Sequence, residues 1–377
     1  MSTRQNKTRI VSIVLFLSVF IIFISCGQQK VKWQGTIEEV DGVTVVKNPI
    51  EPMYGEDVLS LEEEITIGKT IKGEEPVFIV LTGIQVDSKG NIYVLDGRAR
   101  KVKVFDKDGK HIRSFGREGQ GPGEFQLAND IVLTPDETIM ILDRGNYRLS
   151  FFSQEGELLK EVSASKIPSL FRIYPDSDGN YTAKISLRGR KYVYQIKKLD
   201  ANLEELSLIA ELEHPRRTDV LEMFFPSLIA VVMKDDRIVL GNWQHYKLTV
   251  TDKTGRKIRE IHKDYNPVKI TDEDKERVIK ELSAGIPLRR RVEFPNNYPA
   301  FQGLSCDEQG RIFVRTSERA EDNEGYYYDI FDKEGKYTAK IPLGFFPRTW
   351  KNNKLYTIEQ DEEGYHVVKR YKVKWKY

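Results

Sequence analysis

The side chains able to do chemistry are few and scattered. Five histidines and two cysteines stand among 377 residues. No His-x-His or His-x-x-x-His spacing occurs that would put two imidazoles on one metal ion, and the Gly-x-Ser-x-Gly elbow of a serine hydrolase is missing. Arginines are more suggestive. Arg98, Arg148 and Arg190 follow similar β-rich runs, and Arg290 lies in the run Arg289-Arg290-Arg291. Guanidinium groups brought together in this way bind carboxylate or phosphate in a bidentate fashion, and Trp243 and Tyr326 offer stacking faces for a sugar or peptide. His245 and His366 are the histidines that could join such a site, and they would be the ligands if zinc or calcium were held; no cofactor is otherwise expected. Cys306, in Gly303-Leu-Ser-Cys306-Asp307, occupies the same place as Val86 in Gly83-Ile-Gln-Val86-Asp87, so it reads as a core cysteine rather than a nucleophile.

The elements that position these residues are short strands separated by turn chemistry. In Gly83–Phe125, β-rich runs at Ile84–Val86, Ile92–Leu95, Val102–Phe105 and His111–Phe115 are bounded by Asp, Gly, Asn and Lys. The tight turn before the last of them, Asp106-Lys-Asp-Gly109, recurs as Ser153-Gln-Glu-Gly156, Asp200-Ala-Asn202, Asp252-Lys-Thr-Gly255 and Asp332-Lys-Glu-Gly335. A repeat of 40 to 50 residues with four strands per copy is the signature of a β-propeller. The markers predict an all-β, six-bladed propeller with blades near 83–116, 128–163, 168–212, 226–262, 301–343 and 346–375. The sixth copy lacks a fourth strand, and Leu59–Ile67 is expected to supply it, joining the chain ends and removing an open edge. Asp41-Gly42 marks a hairpin over Gly35–Lys47, which could add to the same blade or lie outside it. A helical insertion between blades four and five opens on Thr271 and Asp274, an approximate capping box.

The N-terminus is an address rather than part of the fold. Arg4, Lys7 and Arg9 precede an apolar run, Ile10–Ile24, closed by Ser25-Cys26-Gly27. This order resembles the signal of an exported bacterial lipoprotein, with Phe23 where leucine is usual. The resemblance implies that residues 1–25 are removed and that Cys26 is lipidated. Several acyl chains would then hold the protein at the membrane, on the periplasmic or cell-surface side. Residues 26–50 would form the spacer and hairpin, and 51–377 the propeller. Removing the three leader cations turns the formal charge from +2 to −1, so nucleic acid is not an expected partner. With Cys26 acylated, Cys306 has no cysteine to pair with.

Ile92-Tyr-Val-Leu-Asp96, Val102-Lys-Val-Phe-Asp106 and the crossing GREGQGPGEF resemble an NHL repeat, and the whole is similar to bacterial six-bladed propeller lipoproteins of unassigned function. The resemblance implies a binding or scaffolding role, with a protein, peptide or glycan ligand taken on the face that gathers the loops between second and third strands. Some NHL propellers are metal-dependent lyases, so a lyase or hydrolase is the catalytic alternative. A structural subunit of an envelope complex is the third.

Overall fold

Local chemistry makes the blades. In the Asp106 turn one carboxylate oxygen accepts the N–H groups of Asp108 and Lys110 at 3.0 and 2.9 Å, and Gly109 takes φ 84°. The same device recurs at Asp252 and Asp332, where Gly255 and Gly335 have φ 92° and 85°. A Cβ at these positions would strain the turn. Each turn reverses the chain into an antiparallel partner, and repetition gives four-stranded sheets.

The structure is a computed structural model in which residues 32–69, 75–167, 169–283, 290–321 and 325–376 are described. The expected signal, residues 1–25, the lipid attachment point Cys26, Arg289 and Asp322–Glu324 lie outside them. Six blades follow in order. Their first strands, Leu81–Val86, Ala128–Leu133, Leu170–Pro175, Leu228–Val232, Phe301–Cys306 and Thr349–Lys351, all line the axis. Facing sheets bury six apolar clusters, one at each interface between blades: Tyr93, Leu95 and Val104 of blade one meet Ile131, Ile141 and Phe152 of blade two, for example. Burial of this kind contributes about 25 cal/mol per Å² of apolar surface, and it stabilises the ring without a disulfide.

The ring closes as expected. Strand β3 (Leu59–Ile67) pairs antiparallel with His366–Trp375, from Leu59↔Trp375 to Ile67↔Val368, and completes blade six. The hairpin, formed by β1 (Thr36–Val40) and β2 (Val43–Asn48), goes elsewhere. β2 pairs in parallel with Lys257–Lys263, the outer strand of blade four, and extends that sheet to six strands. Asn48 fixes the junction. Buried, it donates Nδ2–H to the carbonyls of His262 and Gly335 at 3.1 and 3.0 Å, and its Oδ1 accepts from Tyr337 N and Trp33 Nε1 at 2.7 and 3.0 Å. The chain then runs along the outer strand of blade five, where Met53 and Tyr54 donate to the carbonyls of Tyr337 and Thr338. Residues Trp33–Tyr377 form one compact unit.

Helix α1 (Asp272–Ser283) forms where the capping box places it: Thr271 Oγ1 accepts from Asp274 N at 3.2 Å, and Asp274 Oδ2 accepts from Thr271 N at 3.1 Å. None of its residues is buried, and Ile279 and Leu282 of its apolar side remain exposed. The insertion is tied down instead by Arg291–Glu293, which pairs in parallel with Val220–Glu222.

Candidate functional site

The conspicuous carboxylates of the repeat hold the blades together. Asp96 and Asp143 end the second strands of blades one and two and are fully buried. Asp96 accepts from Ile79 N, Val80 N and Ala99 N at 2.7, 3.2 and 3.0 Å, and Asp143 from Gln126 N, Leu127 N and Gly145 N at 2.9, 2.8 and 3.0 Å. Each thus clamps the chain entering the first strand of its own blade. The arginines that follow these aspartates pair elsewhere. Arg148 bridges Glu161 at 3.0 Å and donates to the carbonyls of Gly121 and Glu124, which fixes the glycine-rich crossing. Arg100 donates to the Gln126 carbonyl at 3.0 Å and lies 3.4 Å from Glu118.

The remaining nominated residues divide into two groups. Trp243 donates Nε1–H to the Phe225 carbonyl at 2.9 Å and packs against the blade-four core. The Tyr326 ring lies beneath the guanidinium groups of Arg315 and Arg319, at 4.1 and 5.1 Å. His366 accepts from Leu81 N through Nδ1 at 2.8 Å, a bond that ties blade six to blade one. Arg98, Arg190, His245 and Arg290, in contrast, are exposed on loops. His245 and His366 come from different blades, and among the described residues no three His, Cys, Asp or Glu side chains gather as a metal-binding group.

Two further features emerge in three dimensions. On the face bearing the loops between second and third strands, Ile79, Val80, Leu127, Tyr147 and Phe171 of blades one to three expose large apolar side chains; Tyr147 is 59% exposed and Leu127 54%. Beside them Arg98, Arg144, Arg188 and Arg190 form no ion pair among the described residues, and the Arg144 guanidinium sits 5.4 Å over the Phe171 ring. Apolar surface flanked by uncompensated cations is the composition of a binding face.

The second feature is axial. A cavity of about 500 Å³ opens toward the opposite face and is lined by the first strands of all six blades, with Gln85, Tyr174 and Cys306 among its walls. Burial pushes the Cys306 thiol far above the usual range, so it stays protonated and inert. Two residues further along the strands, about 7 Å deeper, lies a charged layer. Arg172 of blade three donates to Asp130 Oδ1 of blade two at 2.9 Å. Arg348 precedes the first strand of blade six, the blade facing blade three, and its guanidinium forms no hydrogen bond or ion pair among the described residues, lying 5.5 Å from the Phe346 ring. Burial lowers its pKa, and Arg172 across the axis lowers it further. Burial likewise pushes the Asp130 carboxyl up to about 6 although Arg172 opposes this, raises the Tyr174 phenol to about 12, and lowers Lys184, next to Arg172, to about 8.

Six sheets in a closed ring around an axial cavity define a six-bladed β-propeller. Residues 80–222 match the family DUF5128, described as a six-bladed β-propeller. NHL repeat-containing protein 3 of Mus musculus is 26% identical over 193 residues, covering 44% of this chain and 55% of that protein; the chain thus spans about half the length of this curated relative. Two solved structures share the fold at 13% identity. One, from Bacteroides fragilis and named as a candidate exported protein, has a TM-score of 0.55 and covers 88% of this chain and all of its own. The other, a DUF4221 member from Bacteroides vulgatus, has a TM-score of 0.51 and covers 85% and 99%.

Proposed function

We propose that this is an exported, lipid-anchored propeller of the bacterial cell envelope that binds a protein or peptide partner on its loop face and carries out no reaction of its own. The carrying observation is the pairing of exposed Ile79, Leu127, Tyr147 and Phe171 with the unneutralised Arg98, Arg144, Arg188 and Arg190. A partner with acidic and apolar residues would bury the first set and neutralise the second, gaining both affinity and speed of encounter. A glycan would use the same arginines but leave the aliphatic residues uncovered, so a peptide suits the surface better. The leader and Cys26 supply the export and anchoring parts of the reading, and the name borne by the Bacteroides fragilis neighbour is in keeping with export.

The test is affinity capture from solubilised membranes with wild-type protein, with Leu127→Asp and with Arg98→Glu/Arg190→Glu. A partner retained by the wild type and lost by both variants is the expected result. Capture unaffected by either would refute the loop-face reading. Cys26→Ser should abolish fatty-acid labelling and release the protein from membranes; retention in the membrane fraction would contradict the anchor.

A further inference from the structure

We propose that the charged layer formed by Asp130, Arg172 and Arg348 inside the ring is a binding site for a small carboxylate that carries a neighbouring hydrogen-bond donor, such as a hydroxy or amino acid.

The layer is built by an irregularity shared among the blades. Four first strands shift register at the same place, between Leu81 and Gly83, Ala128 and Asp130, Leu170 and Arg172, and Phe301 and Gly303. Such bulges re-aim the side chain that follows them. At this position the repeats carry Gly83, Asp130, Arg172, Ile229 and Gly303, so two copies have no side chain, one has an aliphatic side chain and two place charge there. The glycines are required by close approach. A Cβ on Gly83 would come within 2.6 Å of the Ile131 side chain, and one on Gly303 within 2.6 Å of Phe346, the ring beside Arg348.

The charges do not balance. Arg172 and Arg348 face a single carboxylate, that of Asp130. A guanidinium has five N–H donors, and Arg172 uses one of them, to Asp130, while Arg348 uses none within the described residues. Solvent still reaches both: Arg348 is exposed and the Arg172 side chain is 35% exposed, although protein rings them. Asp130 is complementary to this surplus. Its side chain is 5% exposed, and Oδ2 has no hydrogen-bond partner, an arrangement that is costly unless a donor arrives. A ligand carboxylate shared between Arg348 and Arg172 satisfies the cations, and an adjacent hydroxyl or ammonium donates to Asp130 Oδ2. The phenol of Tyr174 lines the cavity next to them as a further donor. The cavity of about 500 Å³, which Asp130, Arg172 and Arg348 do not line, begins with Tyr174 two residues along the strand from Arg172 and opens to solvent on the face away from the proposed partner surface.

Isothermal titration calorimetry of the purified soluble chain with L-lactate, acetate and inorganic phosphate tests this, alongside Arg348→Gln and Asp130→Asn. Lactate should bind, more tightly than acetate. Arg348→Gln should weaken lactate by about ten- to hundred-fold, the loss of a charge-assisted contact, with little change in the melting transition because the guanidinium has no hydrogen bond or ion pair among the described residues to lose, only its contact with the Phe346 ring. Asp130→Asn should erase the preference for lactate over acetate. Should Arg348→Gln not fold, Arg348→Lys, which keeps the charge and loses the fork, should weaken lactate in the same direction. The site is refuted if lactate fails to bind at concentrations on the order of 10 mM, well above a millimolar dissociation constant. It is equally refuted by undiminished binding to the Arg348 variants or by phosphate binding where lactate does not. Equal affinities for lactate and acetate would overturn the role given to Asp130.

Discussion

Asn48→Ala is the sharpest probe of how the N-terminal segment is held. The substitution deletes four hydrogen bonds from one buried side chain, and two of the groups it strands, the Gly335 carbonyl and Tyr337 N–H, are buried. Each buried group left unsatisfied costs about 1–3 kcal/mol, and the half-buried contacts to His262 and Trp33 add about 0.5–1.5 each. A total of about 6 kcal/mol is expected. Unfolding entropy of about 2.1 cal/mol/K per residue over roughly 345 residues is ~0.7 kcal/mol/K, so Tm should fall by about 8 °C. Asn48→Asp should do worse, because it keeps the acceptor contacts to Tyr337 and Trp33 but sets a carboxylate against two carbonyls. Thermal unfolding followed by circular dichroism reads the shift, and limited proteolysis reads release of residues 33–47. An Asn48→Ala protein melting within about 1 °C of the parent, with the hairpin still protected, would show that these bonds do not hold it.

Other outcomes follow from the same physics. Deleting Leu59–Ile67 removes the outer strand of blade six and should abolish the cooperative melting transition; an unchanged transition would contradict closure. Glu260 and Asp130 should give opposite pH dependences. Burial acts to raise the Glu260 carboxyl, but hydrogen bonds from Lys247, Lys257 and His262 outweigh it and hold it at about 2, so its contribution is present above the ordinary range and disappears as pH falls toward 2. Relative to the parent, Glu260→Gln should therefore be destabilised at pH 7 and approach it in acid, as denaturation across pH would show. Asp130, raised to about 6, favours the fold below pH ~4, and that contribution is lost as pH rises through 6. Asp130→Asn should thus gain roughly 3 kcal/mol on the parent between pH 4 and 7. A flat difference across that range would refute the assignment.

Much of the architecture is legible in the residues because each blade is specified locally. Turns such as Asp106–Gly109 announce themselves by composition, and five of them mark the complete copies of the repeat. Closure by β3 is legible by subtraction, since blade six lacks a strand. The helix is legible from Thr271 and Asp274. The hairpin is legible as a hairpin from Asp41-Gly42, but its parallel docking on blade four depends on contacts such as Asn48 to Gly335, 287 residues away, which leave no local trace. Arg148 reads from the sequence as a candidate ligand-binding arginine, but its partner is structural. In space the backbone N–H groups of the entering chain claim Asp143 first, and Arg148 turns to Glu161. The axial layer was concealed by its variety. Only when the first strands are aligned through their bulges do Asp130 and Arg172 stand out against Gly83, Ile229 and Gly303, and that misfit is the signal the sequence did contain.

The pairing of β3 with the last strand has a consequence for how the protein comes into being. Leu59 finds its partner in Trp375, so β3 must wait for a strand that follows all the other blades in the chain. Until then the chain holds an incomplete ring with an open edge. Contacts spanning such a separation form slowly, because the loop between them must be ordered first. The ring therefore cannot lock into its final form before His366–Trp375 is available to β3.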